Sequence, residues 1–273
     1  MKKLLYITFI LSTFIFTGCE EVIDVDLDTA APRLVVEASI DWVKGTPGNQ
    51  QTIRLTTTTG YYATEIPPVS NATVFITNSA GTIFNFTENP GTGYYVCNNF
   101  EPVINQAYTL TVIDGDQTYT AVETLYAVPE IGQLQQNNEG GFLGDEIEVR
   151  FFFQDNGAED NWYMTRFDTG IIPYPDYDVE DDNFTQGNEM FSFFSDEDLA
   201  AGQVLDIKLY GISQRFYNYM SILLSVSGDG GGGPFSTPPS TVRGNLVNQA
   251  NEANYALGYF RLSEVDTLQY TVQ

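Results

Sequence analysis

Ala72-Thr73-Val74-Phe75-Ile76-Thr77-Asn78-Ser79-Ala80-Gly81-Thr82-Ile83-Phe84-Asn85-Phe86 is the stretch whose reading decides the fold class. On either side of Asn-Ser-Ala-Gly, β-branched and aromatic residues alternate with polar ones, which predicts two strands and a turn. The pattern continues outward. Upstream, beyond a Pro67-Pro68 break, lie Leu34–Ile40 and Gln51–Thr56. Downstream lie Gly93-Tyr94-Tyr95-Val96, Ala107–Ile113 and, past an Asp114-Gly115-Asp116 turn, Thr118–Val122. About seven short strands at regular spacing, with no helical period among them, predict a β-sandwich over residues 33–129.

Residues 130–273 form a second, β-rich region. Glu146–Phe153 predicts a strand, with Trp162–Phe167 as its hairpin partner across an Asp155–Asn161 loop. The acidic stretch Asp168–Glu189, which holds Pro173 and Pro175, reads as a long surface loop. Val204–Tyr210 resumes the sheet. Ser213 is a candidate N-cap, and Phe216, Tyr217, Met220, Leu223 and Leu224 recur at helical spacing up to Gly228. This predicts an amphipathic helix over about 213–227 that closes an open sheet face. With Arg215 as its only base it is not a membrane-surface helix. Asp229–Pro239 has no lysine at a phosphate-binding position and reads as a flexible connection. Tyr255–Leu262 and Leu268–Val272 supply the last two strands. The expected fold is mainly β: an N-terminal Ig-like or transthyretin-like β-sandwich, then a C-terminal β-rich domain with one amphipathic helix.

The start of the chain reads differently. Met1-Lys2-Lys3 and an apolar run, Leu4–Phe16, lead into Phe16-Thr17-Gly18-Cys19. At ~1.5 Å per residue the run is too short to span a bilayer, so residues 1–18 are expected to be a lipoprotein signal peptide. Cys19 would then be the lipidated first residue of the mature protein, with palmitate-type acyl chains holding it to the membrane. Residues 19–32 form an acidic tether with Glu20, Glu21, Asp24, Asp26 and Asp28, better suited to solvent than to anionic head groups. The tract resembles the acidic export signal of surface-exposed lipoproteins in Bacteroidota, which implies an outer-membrane, cell-surface address.

Composition narrows the function classes. The formal charge is −25, and without residues 1–18 the chain has 9 basic against 36 acidic residues. Nucleic acid is excluded as a partner, because phosphate binding needs Lys and Arg clusters. The 42% hydrophobic and 14% aromatic content is enough for a packed core. After Cys19 only Cys97 remains, so no intrachain disulfide forms, and Cys97 reads as a buried strand residue. The absence of histidine removes Ser-His-Asp and Cys-His nucleophile systems and His-based metal sites. No cofactor is implied.

Two chemistries survive this filter, a carboxylate pair and an oxygen-ligand calcium site. Asp155, Glu159 and Asp160 in one loop, with Asp176, Asp178, Asp181 and Asp182 in another, have the right atoms for calcium. An EF-hand starting at Asp176 would need Gly at its sixth position and Glu at its twelfth, where this chain has Asp181 and Gly187. No catalytic and no metal residue is therefore assigned. Trp162, Tyr174 and Tyr177, close to the acidic loop, are the candidates for contact with a small molecule, sugar or peptide.

Two resemblances complete the reading. Ala-Xaa-Val-Xaa-Ile, a turn, an aromatic strand, Gly-Xaa-Tyr, Tyr-Xaa-Leu-Xaa-Val and an Asp-Gly turn resemble carboxypeptidase-regulatory-like and transthyretin-like sandwiches, which are usually spacers or interaction modules. Over nearly the whole mature length, the lipobox, tether, Leu-Val-Val-Glu-Ala strand, Tyr-rich helix, Pro234-Phe235-Ser236-Thr237-Pro238-Pro239 and Ala256-Leu257-Gly258-Tyr259-Phe260 resemble a large Bacteroidota family. Its members are outer-membrane lipoproteins known only as a domain of unknown function and commonly encoded beside TonB-dependent transporters. The resemblance implies a non-enzymatic accessory partner of such a β-barrel in nutrient capture. The alternatives are an independent adhesin or glycan-binding lipoprotein and, third, a carboxylate-based hydrolase.

Overall fold

The quoted stretch is β3 (Thr73–Asn78), a turn and β4 (Ile83–Asn89) in the computed structural model, which describes residues 31–227 and 242–273. The expected signal peptide, Cys19, most of the tether, Gly228 and the Gly- and Pro-rich connection lie outside the described residues. The turn forms because the Asn78 side-chain oxygen accepts the N–H groups of Ala80 and Thr82, at 3.1 and 2.9 Å, while Gly81 takes φ 87°. β4 belongs to two layers. Its first half pairs with β3, and Thr87–Asn89 pair with β5 (Tyr94–Cys97).

One layer of this sandwich holds β5, β2 (Gln51–Thr57) and β1 (Leu34–Val43). The other holds β3, β6 (Ala107–Asp114) and β7 (Gln117–Thr124). Strict alternation turns Val36, Ala38 and Ile40, Val74 and Ile76, and Tyr108, Leu110 and Val112 into one core. Each large side chain buried here contributes about 1.5–3 kcal/mol. Cys97 lies in it as a free, buried thiol, as expected.

The second half is also a sandwich. β8 (Ile131–Gly140), β9 (Glu146–Gln154) and β12 (Glu189–Asp196) form a three-stranded layer in the order β12-β9-β8. Facing it are β11 (Asp176–Asp181), β10 (Trp162–Asp168) and β13 (Val204–Ile212). This corrects the expected β9–β10 hairpin. Phe151 meets Phe167 at 5.9 Å and Phe153 meets Tyr163 at 5.0 Å between ring centroids, so the two strands face each other across the core in different layers. The intervening loop is long enough to change layers. The Asp168–Glu189 stretch is likewise more than a loop, since it contains β11, paired with β10 from Trp162↔Asp181 to Phe167↔Asp176.

The last two expected strands are a single one, β15 (Leu257–Thr271). Its first part runs parallel to β1, Val35↔Leu257 through Val43↔Val265, and its second part antiparallel to β13, Tyr210↔Val265 through Val204↔Thr271. The even-numbered side chains serve both cores, Phe260 and Leu262 in the first, Leu268 and Tyr270 in the second. Between them Glu264 and Asp266 interrupt the apolar pattern because they accept the backbone N–H groups of Val128 and Ile131, at 3.0 and 2.6 Å, where the chain passes between cores. Lys44 pairs with Glu264 at 3.2 Å. Leu125 belongs to the first core and Val128 to the second, yet Leu246 and Ala256 return to the first, alongside the two-residue strand β14 (Val247–Asn248) that pairs with β7.

Helix α1 (Gln214–Ser227) forms where the apolar spacing placed it. The Ser213 hydroxyl caps it by accepting the Phe216 N–H at 3.1 Å. Phe216 and Met220 are buried against Met164, Tyr210, Ile212, Tyr259 and Val265, so the helix covers the sheet face opposite both cores.

Candidate functional site

β11 ends the long sheet and β12 ends the short one, and a groove of about 360 Å³ runs between these two edges. Alternation decides what each strand contributes. On β11, Tyr177 and Val179 pack beneath α1, so Asp176, Asp178 and Glu180 lie on the other face. On β12, Met190, Ser192 and Phe194 are buried, while Phe191 and Phe193 stay 44% and 48% exposed. Asp178, Glu180, Glu189, Phe191 and Phe193 line the groove.

Burial in this groove, reinforced by the negative charge of Asp178, pushes the Glu180 carboxyl up to about 7, against a downward pull from the Ser192 hydroxyl. Burial also raises Asp176, with Asp178 adding to it. On the outer rim Arg150 lies over the Phe191 ring at 4.4 Å and the Phe193 ring at 5.8 Å, and Glu148 holds it at 2.7 Å. The arrangement joins an aromatic surface, a row of carboxyl groups of which one carries a proton near neutrality, and two strand edges.

The residues singled out in the sequence are distributed otherwise. Trp162 and Tyr177 pack against the α1 cluster, and only Tyr174 is open to solvent, at 80%. In register Trp162 sits opposite Asp181 and Tyr177 opposite Arg166, about 13 Å apart along the strand. The three do not form one platform. The groove is lined by Phe191, Phe193 and Glu180. Their signal was legible in Glu189-Met-Phe-Ser-Phe-Phe-Ser-Asp196, an alternating run whose outward positions are aromatic.

The two acidic loops do converge, but around one another. Asp155 accepts the Tyr163 hydroxyl and the Gly187 N–H, both at 2.6 Å, and Asp182 accepts the Asn161 N–H at 2.8 Å. These carboxylates fasten loop to loop, and among the described residues no group of three or more metal-ligating side chains comes together.

A second polar cluster lies under the helix N-terminus. The buried Glu123 accepts Ser213 Oγ–H at 3.1 Å and the Tyr259 hydroxyl at 3.2 Å, and burial raises its pKa above the usual carboxylate range. Nearby, the buried Arg261 pairs with Asp41 at 2.8 Å, donates to Ser263 Oγ at 2.9 Å and lies over Tyr210. Burial, with Asp41 adding to it, pushes the Tyr210 hydroxyl up to about 12. Elsewhere Arg33 and Arg243 both stack on Tyr255, at 4.3 and 4.0 Å.

Fold and groove together define a mainly β protein of two sandwiches fused through one strand. The chain belongs to the family described as a domain of unknown function, DUF4249, whose model matches residues 20–269. No curated protein matches it. Among solved structures, it is similar to a two fibronectin type III domain segment of chicken tenascin, at 11% identity and TM-score 0.21 over 66% of this chain and 90% of that one. A cytokine receptor complex matches at 9% identity and TM-score 0.24, covering 65% and 82%. A DUF4785 family protein of Legionella pneumophila matches at 10% and 0.26, covering 65% and 51%.

Proposed function

We propose that this is a lipid-anchored protein of the bacterial outer membrane, exposed at the cell surface, that works without catalysis as an accessory partner of a TonB-dependent transporter in nutrient capture. The observation that carries the reading is Phe16-Thr17-Gly18-Cys19 followed at once by Glu20-Glu21: a lipidation signal and an acidic, solvated tether. The family match, which starts at residue 20, is in keeping with a mature chain that begins at Cys19. The groove supports a binding role, because it sets exposed aromatic rings beside a row of carboxyl groups between two strand edges. The same groove favours a second reading, an independent adhesin or glycan-binding lipoprotein.

Two measurements test this. Mass spectrometry of the N-terminal peptide from membranes is expected to show acylated Cys19, and Cys19→Ser to release the protein from the membrane fraction. Affinity purification from detergent-solubilised outer membranes is expected to bring down a stoichiometric β-barrel. Its reproducible absence, with acylation intact, would leave the adhesin reading.

A further inference from the structure

We infer that the free edge of β12 is a docking site for an extended, basic polypeptide segment that adds to the three-stranded layer as a fourth strand. Among the described residues β12 pairs with β9 alone, Glu189↔Gln154 through Asp196↔Ile147, so there its other edge offers a row of unpaired backbone donors and acceptors. Soluble proteins blunt such edges with charge, which is what β11 does with Asp176, Asp178 and Glu180. β12 does not follow that rule. It is eight residues long, contains no proline, and its outward positions in the middle are Phe191 and Phe193.

The period of two fixes what the added strand must look like. Side chains on one of its faces would lie beside Phe191, Phe193 and the Arg150 guanidinium, which favours apolar or aromatic residues. Those on its other face would enter the groove toward the side of β11 that carries Asp176, Asp178 and Glu180, which favours lysine or arginine. The matching sequence therefore alternates basic and apolar residues. Charge complementarity also disposes of a second copy of the chain: two β12 edges brought together would set these three carboxyl groups against their own kind, in a protein of charge −25. This site does not depend on the lipid anchor or on the identity of a transporter.

The test uses the full chain in detergent micelles and two synthetic octapeptides of the same composition, Lys-Val repeated four times and a block of four Lys followed by four Val. The alternating peptide is expected to bind at least tenfold more tightly, and to protect the β12 amides that face away from β9 from hydrogen exchange at least tenfold. Phe193→Ser, at a half-exposed position, and Glu180→Gln, within the groove, are each expected to weaken that binding several-fold. Equal affinity for the two peptides, or binding without β12 protection, would overturn strand addition. Self-association through the edge in the absence of peptide, seen by sedimentation, would overturn the basic partner.

Discussion

Glu180 shows how one carboxyl reports on the groove. Its pKa near 7 in the folded protein, against 4.5 ordinarily, means that the folded state keeps a proton which the unfolded chain has lost between those values. Stability contributed by that proton is complete below about pH 4.5 and lost as pH rises through 7. Glu180→Gln keeps the hydrogen bonding but carries no charge. It is expected to flatten this slope and to gain about 1–3 kcal/mol at pH 8, read as melting temperature against pH for both proteins. A variant with the parental slope would show that Glu180 is not the titrating group. At Ser213 one hydroxyl has two roles, accepting the Phe216 N–H and donating to Glu123. Ser213→Ala is expected to cost about 1–2 kcal/mol in denaturant titration, the upper end of an N-cap loss, because a buried carboxyl also loses a donor.

At the scale of elements, legibility followed periodicity. β3 and β4 and the cap of α1 were plain in the sequence because alternation, an Asn-Xaa-Xaa-Gly turn and a helical apolar stripe are local signals. β8, Ile131-Gly-Gln-Leu-Gln-Gln-Asn-Asn-Glu-Gly140, carries no such signal: it lies at a sheet edge, is polar apart from Ile131 and Leu134, and shifts register twice along β9. The sequence predicts two strands in place of β15 because Glu264 and Asp266 stand where alternation demands apolar residues. Their partners, the Val128 and Ile131 amides, are more than a hundred residues away. The groove was hidden for the same reason, being made by two edges that come together only in the folded chain. Asp266→Ala, which leaves the Ile131 N–H without its acceptor, is expected to cost about 1–3 kcal/mol. Faster hydrogen exchange at β8 than at β6 would locate that loss at the junction.

For the whole molecule, β15 makes the two sandwiches interdependent. It is the parallel partner of β1 over nine register positions and supplies Phe260 and Leu262 to the first core, while Leu246 and Ala256 come from the same C-terminal part. A polypeptide of residues 31–129 alone would leave β1 as an open edge and remove four buried side chains from its core. At about 1.5–3 kcal/mol for each large one, that deficit is comparable to the entire stability of a domain this size. The fragment is therefore expected not to fold, giving a collapsed amide proton spectrum. Residues 31–273 are expected to unfold in one calorimetric transition, with equal van't Hoff and calorimetric enthalpies. Two separated transitions, or a well-dispersed spectrum from the fragment, would show that the first sandwich stands without the strand that the second one shares.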